Sequence, residues 1–362
     1  MKRTARLAAL VGTLALVAAA CGEAPEEETA GEDGGTATAE ATDFQACMVT
    51  DSGGIDDRSF NATAWQGLQN AESDLGISAK YVESNVETDF APNINQLVAD
   101  DCGIIVTVGF LLGDATAEAA EANAEEQFAI VDFAYDEPID NIKPLIFDTA
   151  QAAFLAGYVA AGTTQTGTVA TFGGINLPTV SIFMDGFADG IAYHNEQKGT
   201  DVQLIGWDKE AQNGSFTGDF TNQANGQQLA NTFIQQGADI IMPVAGPVGL
   251  GAAAAAQEAG DVKIIGVDSD WYESAAQYSA IVLTSVLKRI DNAVFDATEQ
   301  AVNEEYSAEP YVGTLENEGV GLAPFHDFDA EVSDELKSEI EEITGQIVDG
   351  SLTVESPSSP TT

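Results

Sequence analysis

Strand-like apolar runs alternate with stretches of helical spacing along most of this chain. The run at 44–50 is followed by a helix over 61–75, the run at 80–83 by a helix near 94–100, and the run at 103–109 by a helix over 114–126. A fourth strand follows at 128–132. After a helix at 151–163 a second series begins, with strands at 169–172, 202–205, 240–244, 263–267 and 280–283 and helices between them, one of them over 179–194. Several of these strands are continuous apolar runs, as expected where a parallel sheet is covered on both faces. The pattern predicts an α/β clamshell of two doubly wound parallel-sheet lobes joined by crossing hinge segments. The first lobe is expected to hold 43–150 and 288–310, and the second 151–287 and 311–353. Such a molecule closes on its ligand by hinge motion.

The strand tips carry the candidate chemistry, because open α/β folds bind small ligands at the carboxyl edge of their sheets. The richest tip is Asp51-Ser52-Gly53-Gly54-Ile55-Asp56-Asp57-Arg58-Ser59-Phe60-Asn61, a glycine-rich polar turn that opens into a helix. It puts backbone N–H donors, a flat ring and a hydrogen-bonding amide at one place. Other tips lie at 109–114, 132–136, 173–176, 246–251 and 268–270. Gly and Asp also serve ordinary turns, so the argument rests on several tips of one style. Asp56 and Asp57 are read as turn or capping acids, and His194 as a surface residue. Trp207 and Trp271 stay open between cleft rim and core.

The ends of the chain lie outside this pattern. Lys2, Arg3 and Arg6 precede an uncharged run from Leu7 to Ala20, and the small residues Ala18-Ala19-Ala20 precede Cys21. This is read as a signal segment over 1–20, too short for a comfortable membrane span. Cys21 directly after the small residues marks a bacterial lipoprotein signal, with lipid attachment at Cys21 and an extracytoplasmic, membrane-anchored location. Residues 21–42 carry seven carboxylates and no base, which reads as a disordered acidic tether. The Ser/Pro/Thr-rich end, 354–362, is expected to be disordered as well.

Charge narrows the partners. The formal net charge is −47, and loss of 1–20 removes three positive charges and no negative ones, giving −50. So acidic a surface argues against nucleic acid as a partner. It would suit high salt, where charges are screened over about 3 Å at 1 M. Cys47 and Cys102 each lie at or near the start of an apolar strand, and either a disulfide or two buried thiols fits them. With two histidines in the chain and no CxxC, neither a zinc site nor His-based catalysis is expected, and no cofactor is called for.

Several stretches resemble the basic membrane protein family of lipoproteins, type I substrate-binding proteins of ABC transporters whose best-known member is a purine nucleoside receptor. They are the opening signature from Thr50 to Asn61 with Trp65-Gln66-Gly67-Leu68, then Phe154-Leu155-Ala156-Gly157-Tyr158, Gly186-Phe187-Ala188-Asp189-Gly190 and Gly237-Ala238-Asp239-Ile240-Ile241. Gly266-Val267-Asp268-Ser269-Asp270 and Leu283-Thr284-Ser285-Val286-Leu287-Lys288 complete the set. The similarity covers 44–352 and implies the type I periplasmic-binding-protein fold. It further implies a nucleoside held between two rings, Phe60 and Phe216, each stack contributing roughly 1–3 kcal/mol. Asp51 and Asp132, with Asn61 beside them, match positions that read the base. Asp268 matches the carboxylate that takes the ribose hydroxyls, Lys288 the family's lysine, and Gly246 a strand tip at the site. The segment around Phe216 is one residue longer than usual before its Asp219, which leaves Phe220 as the alternative ring. Trp271 stands where the family often has Gln.

The implied function is a lipid-anchored receptor that delivers a nucleoside to an ABC permease, a monomer by the default of its class and not an enzyme. Three other classes were weighed. A nucleoside hydrolase would want an Asp-rich metal loop where Gly53 and Gly54 stand. A sensory receptor would share the fold and differ in its partner, and a sugar receptor would differ in its cargo.

Overall fold

Strand β1 (Gln45–Thr50) is buried from Ala46 onward and lies inside a parallel sheet, which is why it reads as one unbroken apolar run. The computed structural model describes residues 43–360. The signal segment, Cys21 and the acidic tether lie outside the described residues. From β1 the chain runs through α1 (Phe60–Leu75), β2 (Ser78–Val82), α2 (Phe90–Ala99), β3 (Ile104–Val108), α3 (Gly113–Ala122), β4 (Phe128–Val131) and β5 (Ile142–Phe147). It then crosses to a second lobe with α4 (Thr149–Thr163), β6 (Thr168–Gly173), α5 (Pro178–Lys198), β7 (Gln203–Ile205) and a short hairpin, β8 (Trp207–Asp208) and β9 (Asn213–Gly214). The lobe continues with α6 (Gln223–Gln235), β10 (Ile240–Val244), α7 (Pro247–Ala259), β11 (Lys263–Asp268), α8 (Trp271–Ser274) and β12 (Val282–Lys288). Next come α9 (Ile290–Val302), β13 (Tyr311–Gly313), β14 (Val320–Leu322) and α10 (Asp334–Val348).

The two sheets have the same plan. The first runs β13-β5-β4-β3-β1-β2 and the second β14-β12-β11-β10-β6-β7, so β1 corresponds to β6, β3 to β10 and β4 to β11. All pairings in the first sheet are parallel; in the second only β14 is antiparallel, to β12. Each sheet reverses its strand order beside its first strand, and ligands bind at such switch points.

The crossings fall between β5 and α4, between β12 and α9, and between β13 and β14. Helix α9 returns to the first lobe against α1, where a side chain on Gly67 would meet the Asp291 carbonyl at 2.5 Å. The expected return to the second lobe at residue 311 comes later than the sequence pattern placed it. Residues 311–313 pair in parallel with β5 and close the edge of the first sheet. Two stretches quoted for the family resemblance pack on one another: a Cβ on Gly157 would fall 2.1 Å from the Phe187 carbonyl, and one on Gly190 1.9 Å from that of Phe154. Those glycines let α4 and α5 touch backbone to backbone.

Cys47 and Cys102 form a disulfide that ties β1 to the turn before β3. A loop of 55 residues closed this way is the kind of cross-link that contributes about 2–4 kcal/mol. His194, expected at the surface, is buried, with its ring edge-on to Tyr158 and Nδ1 paired to the Thr200 hydroxyl.

The carboxyl end corrects the expectation of disorder for 354–360. Val354 is buried, and the hydroxyl of Ser356 donates to Asp185 Oδ2 at 2.6 Å. Asp185 is wholly buried and also takes bonds from the Trp207 indole and Gln212. Ser358 pairs with Ser181, and Ser359 donates to Asp148 Oδ1 at the crossing into α4. Serines that look like a linker by composition here bond a buried acid, a half-buried acid and another serine. Truncation after Thr353 should therefore lower stability by about 1–3 kcal/mol, the cost of leaving such an acceptor short of a donor. Urea denaturation of the full-length and truncated chains measures this, and coincident curves would show that the end contributes nothing.

Candidate functional site

The carboxyl tips of both sheets face one cleft of roughly 630 Å³, part of it open to solvent. Its first-lobe wall is made by Asp51, Asp57, Phe60, Asn61, the stretch Gly109-Phe110-Leu111, and Asp132. Its second-lobe wall includes Val180, Phe183, Phe220, Gly246, Pro247, Asp268 and Lys288. Seven of the eight candidate residues from the sequence therefore meet here: Asp51, Phe60, Asn61, Asp132, Gly246, Asp268 and Lys288.

Phe216 is not among them, and Phe220 lines the cleft in its place. The backbone of Phe216 bridges Gly173 at the end of β6. That pairing turns its ring onto Gly173 and edge-on to Trp207, at 6.0 Å between centroids. Phe220, four residues on, lies over Gly174. The longer loop before Asp219 was the signal for this. Trp207 and Trp271 are both core: Trp271 is buried over Gly266 and its indole N–H donates to the Val267 carbonyl. Phe110 and Phe183 also line the cleft, and the sequence reading had singled out neither.

Local backbone explains why these acids point inward. Asp132 follows β4 and Asp268 ends β11, the corresponding strands of the two lobes. Both take left-handed conformations, with φ 69° and 68°, which non-glycine residues hold at a cost, most often at functional sites. Gly109 sits at the first lobe's switch point because a Cβ there would fall 2.5 Å from Asp51 Oδ2. Asp57 accepts the backbone N–H groups of Ser59, Asn61 and Ala62 at 2.7–3.0 Å, and so caps α1 while one edge lines the cleft.

Four carboxylates and one ammonium share this space. Lys288 Nζ lies 2.5 Å from Asp132 Oδ2 and close to the faces of Phe60, Phe147 and Phe183, at 5.1, 5.2 and 5.8 Å from the ring centroids. Burial pushes Asp51 up to about 8, with the Asn61 amide opposing the rise and the charges of Asp57 and Asp132 adding to it. Burial likewise raises Asp57 to about 6 against its three N–H donors. Asp132 and Asp268 are raised by burial too, and the nearby Lys288 opposes this in both. The rise favours the protonated form of Asp51 near neutral pH, in which it donates a hydrogen bond as well as accepting one. The Asn61 amide donates to Asp51 Oδ1 at 3.1 Å, while its own Oδ1 is buried without a partner.

Among the described residues no group of three or more His, Cys, Asp and Glu is placed to hold a metal ion. Among them also, no helix is long and apolar enough to cross a membrane.

The family model for PnrA-like ABC transporter substrate-binding proteins, Bmp, matches residues 44–355. A protein of Listeria innocua named CD4+ T-cell-stimulating antigen is 32% identical to this chain, over 98% of each. The ABC transporter nucleoside-binding protein BmpA of Lactococcus lactis is 30% identical, over 89% of this chain and 92% of its own. Among solved structures, a solute-binding protein of an ABC transporter system from Aeropyrum pernix superposes with a TM-score of 0.77 at 24% identity. It covers 87% of this chain and 94% of its own, a likeness of fold.

The raised acids set a pH dependence. Between the ordinary value near 3.8 and about 8 the folded protein keeps on Asp51 a proton that the unfolded chain has released. Stability of the ligand-free protein should therefore fall as pH rises through that window, by at most about 1.4 kcal/mol per unit for one proton. Asp57 adds a slope of the same sign up to about 6. Urea titrations at pH 6.5, 7.5 and 8.5 should show a decline that Asp51→Asn removes. Equal slopes in both proteins would mean that Asp51 is ionised throughout.

Proposed function

This chain belongs to the PnrA-like (Bmp) family of ABC transporter substrate-binding proteins, and from that premise we propose that it captures a nucleoside, with a purine as the favoured base. The observation that carries this reading is the Asn61 carbonyl oxygen, buried at the cleft without a donor. A buried acceptor of this kind calls for an N–H or O–H from the solute. Heteroaromatic bases offer an N–H in the plane of a ring, next to faces that stack on aromatic side chains. Phe60 on the first lobe and Phe220 on the second supply those faces.

In this reading Asp51, Asn61 and Asp132 read the base edge, and Asp268 accepts the ribose hydroxyls, as an ionised carboxylate does best. Gly246, with φ 51° at the start of α7, keeps the second-lobe wall free of a side chain. Lys288 fixes Asp132 and adds a cation beside the Phe60 ring. The relative named as a nucleoside-binding protein supports the same cargo. Cys21 would carry the lipid anchor on the outer face of the membrane, and closure of the lobes on the solute would present the form that the permease accepts.

Calorimetric titration of residues 43–362, unfolded and refolded to strip any bound solute, tests this with purine and pyrimidine nucleosides, free bases and sugars. Purine nucleosides are expected to bind, and Phe60→Ala, Phe220→Ala and Asp268→Asn should each weaken them at least tenfold. Phe216→Leu should stay within threefold of wild type. Binding of sugars alone would overturn the nucleoside reading and keep the clamshell.

A further inference from the structure

Arg58 joins the lobes without facing the solute. It belongs to the glycine-rich tip after β1, yet it is absent from the walls of the nucleoside cleft and lines a separate cavity between the lobes with Ser269, Ser274 and Arg289. Its backbone is left-handed, with φ 59°, so the chain turns sharply just before Ser59 and Phe60. That turn sends Arg58 to the second lobe on one side and Phe60 into the cleft on the other. The Arg58 carbonyl accepts the Ser269 hydroxyl at 3.0 Å. Its guanidinium donates to Gln277 Oε1 at 2.9 Å and, more loosely, to the Ser274 carbonyl at 3.4 Å. The next residue, Ser59, donates its hydroxyl to Asp268 Oδ2 at 2.7 Å, with the Val267 carbonyl 3.1 Å away as the competing acceptor.

We propose that Arg58 is the closure latch of this receptor, a positioning residue that sets how long the lobes stay shut while touching no part of the solute. The inference rests on the reading that the lobes close on a solute. Latch and solute contacts are neighbours in sequence on both lobes: Arg58 and Ser59 precede Phe60, and Asp268 precedes Ser269. Closing the lobes on a ligand held by Phe60 and Asp268 therefore brings the latch groups together at the same time. Both acceptors of the guanidinium are neutral, an amide and a carbonyl, so breaking the latch itself separates no ion pair. One terminal nitrogen of the guanidinium serves both acceptors, and the length of the side chain is what carries the donor across to the second lobe.

The test separates the guanidinium from the turn that carries it. Arg58→Gly keeps a residue at ease in the left-handed region and retains the carbonyl that Ser269 uses, and Gln277→Ala removes the main acceptor from the other side. Adenosine and guanosine serve as probes in stopped-flow release, and small-angle scattering with and without them reports lobe opening. Both variants should release the nucleoside at least tenfold faster with association within threefold of wild type. Their scattering should show a larger share of open molecules, and the double variant should gain little over either single one. Release rates and scattering curves equal to those of wild type would overturn the latch. Should neither nucleoside bind wild type, the nucleoside reading fails by itself, and the scattering of the ligand-free proteins still decides on Arg58.

Discussion

The buried pair of Lys288 and Asp132 is the interaction around which the cleft is arranged. Lys288 ends β12 in the second lobe, Asp132 follows β4 in the first, and both are nearly inaccessible to solvent. Two charges taken from water are costly unless each satisfies the other, and removing one partner leaves the remaining charge stranded. The pair therefore favours the arrangement in which both strand tips converge. It also sets the character of the cleft. The ammonium lies among Phe60, Phe147 and Phe183, and its charge is what allows Asp132 and Asp268 to share a space that would otherwise drive both toward protonation.

The matching plan of the two sheets gives this chemistry its geometry. Asp132 and Asp268 occupy corresponding tips in nearly equal left-handed conformations, yet their partners differ. Asp132 is held by a cation, whereas Asp268 accepts a neutral hydroxyl from Ser59. One strand-tip device, used twice, thus yields a carboxylate committed to an ion pair and another with acceptor capacity to spare. Asp51 is a third case. It has no cation partner among the described residues, and burial shifts it toward the protonated form, so these three acids differ in the hydrogen bonds they favour.

Much of this was legible in the sequence where burial is uniform. The central strands are continuous apolar runs because both faces of each sheet are covered, and their tips follow from where those runs stop. The strands that the pattern missed or cut short have interrupted runs. In β5 the run is broken by Lys143 and Pro144, and the lysine is satisfied by the carbonyls of Ser307 and Glu309. In β12 the run expected to end at residue 283 continues through Thr284 and Ser285, whose hydroxyls serve the Ala323 carbonyl and the Trp271 N–H. The spacing before Asp219 raised Phe220 as an alternative to Phe216 without deciding between them, since the choice turns on a backbone bridge to Gly173. The carboxyl end was misread for a related reason: serines carry no hydrophobic signal, and their role appears only beside the acids they bind.

Closure is the step in which these parts act together. The inter-lobe contacts in this structure are one buried ion pair and a few hydrogen bonds between neutral or singly charged groups. Each such bond is worth about 0.5–1.5 kcal/mol net between neutral groups and about 1.5–3 kcal/mol where one group is charged, because the open form makes the same bonds to water. A latch of this strength can prolong a closed state without fixing it. A solute that contacts only one lobe binds open and closed forms alike and shifts nothing. One that reaches Phe60 and Asn61 on one side and Phe220 and Asp268 on the other gains its second set of contacts only on closing, and that difference is what draws the population shut. In the proposed receptor, selectivity follows from how far a solute spans both walls.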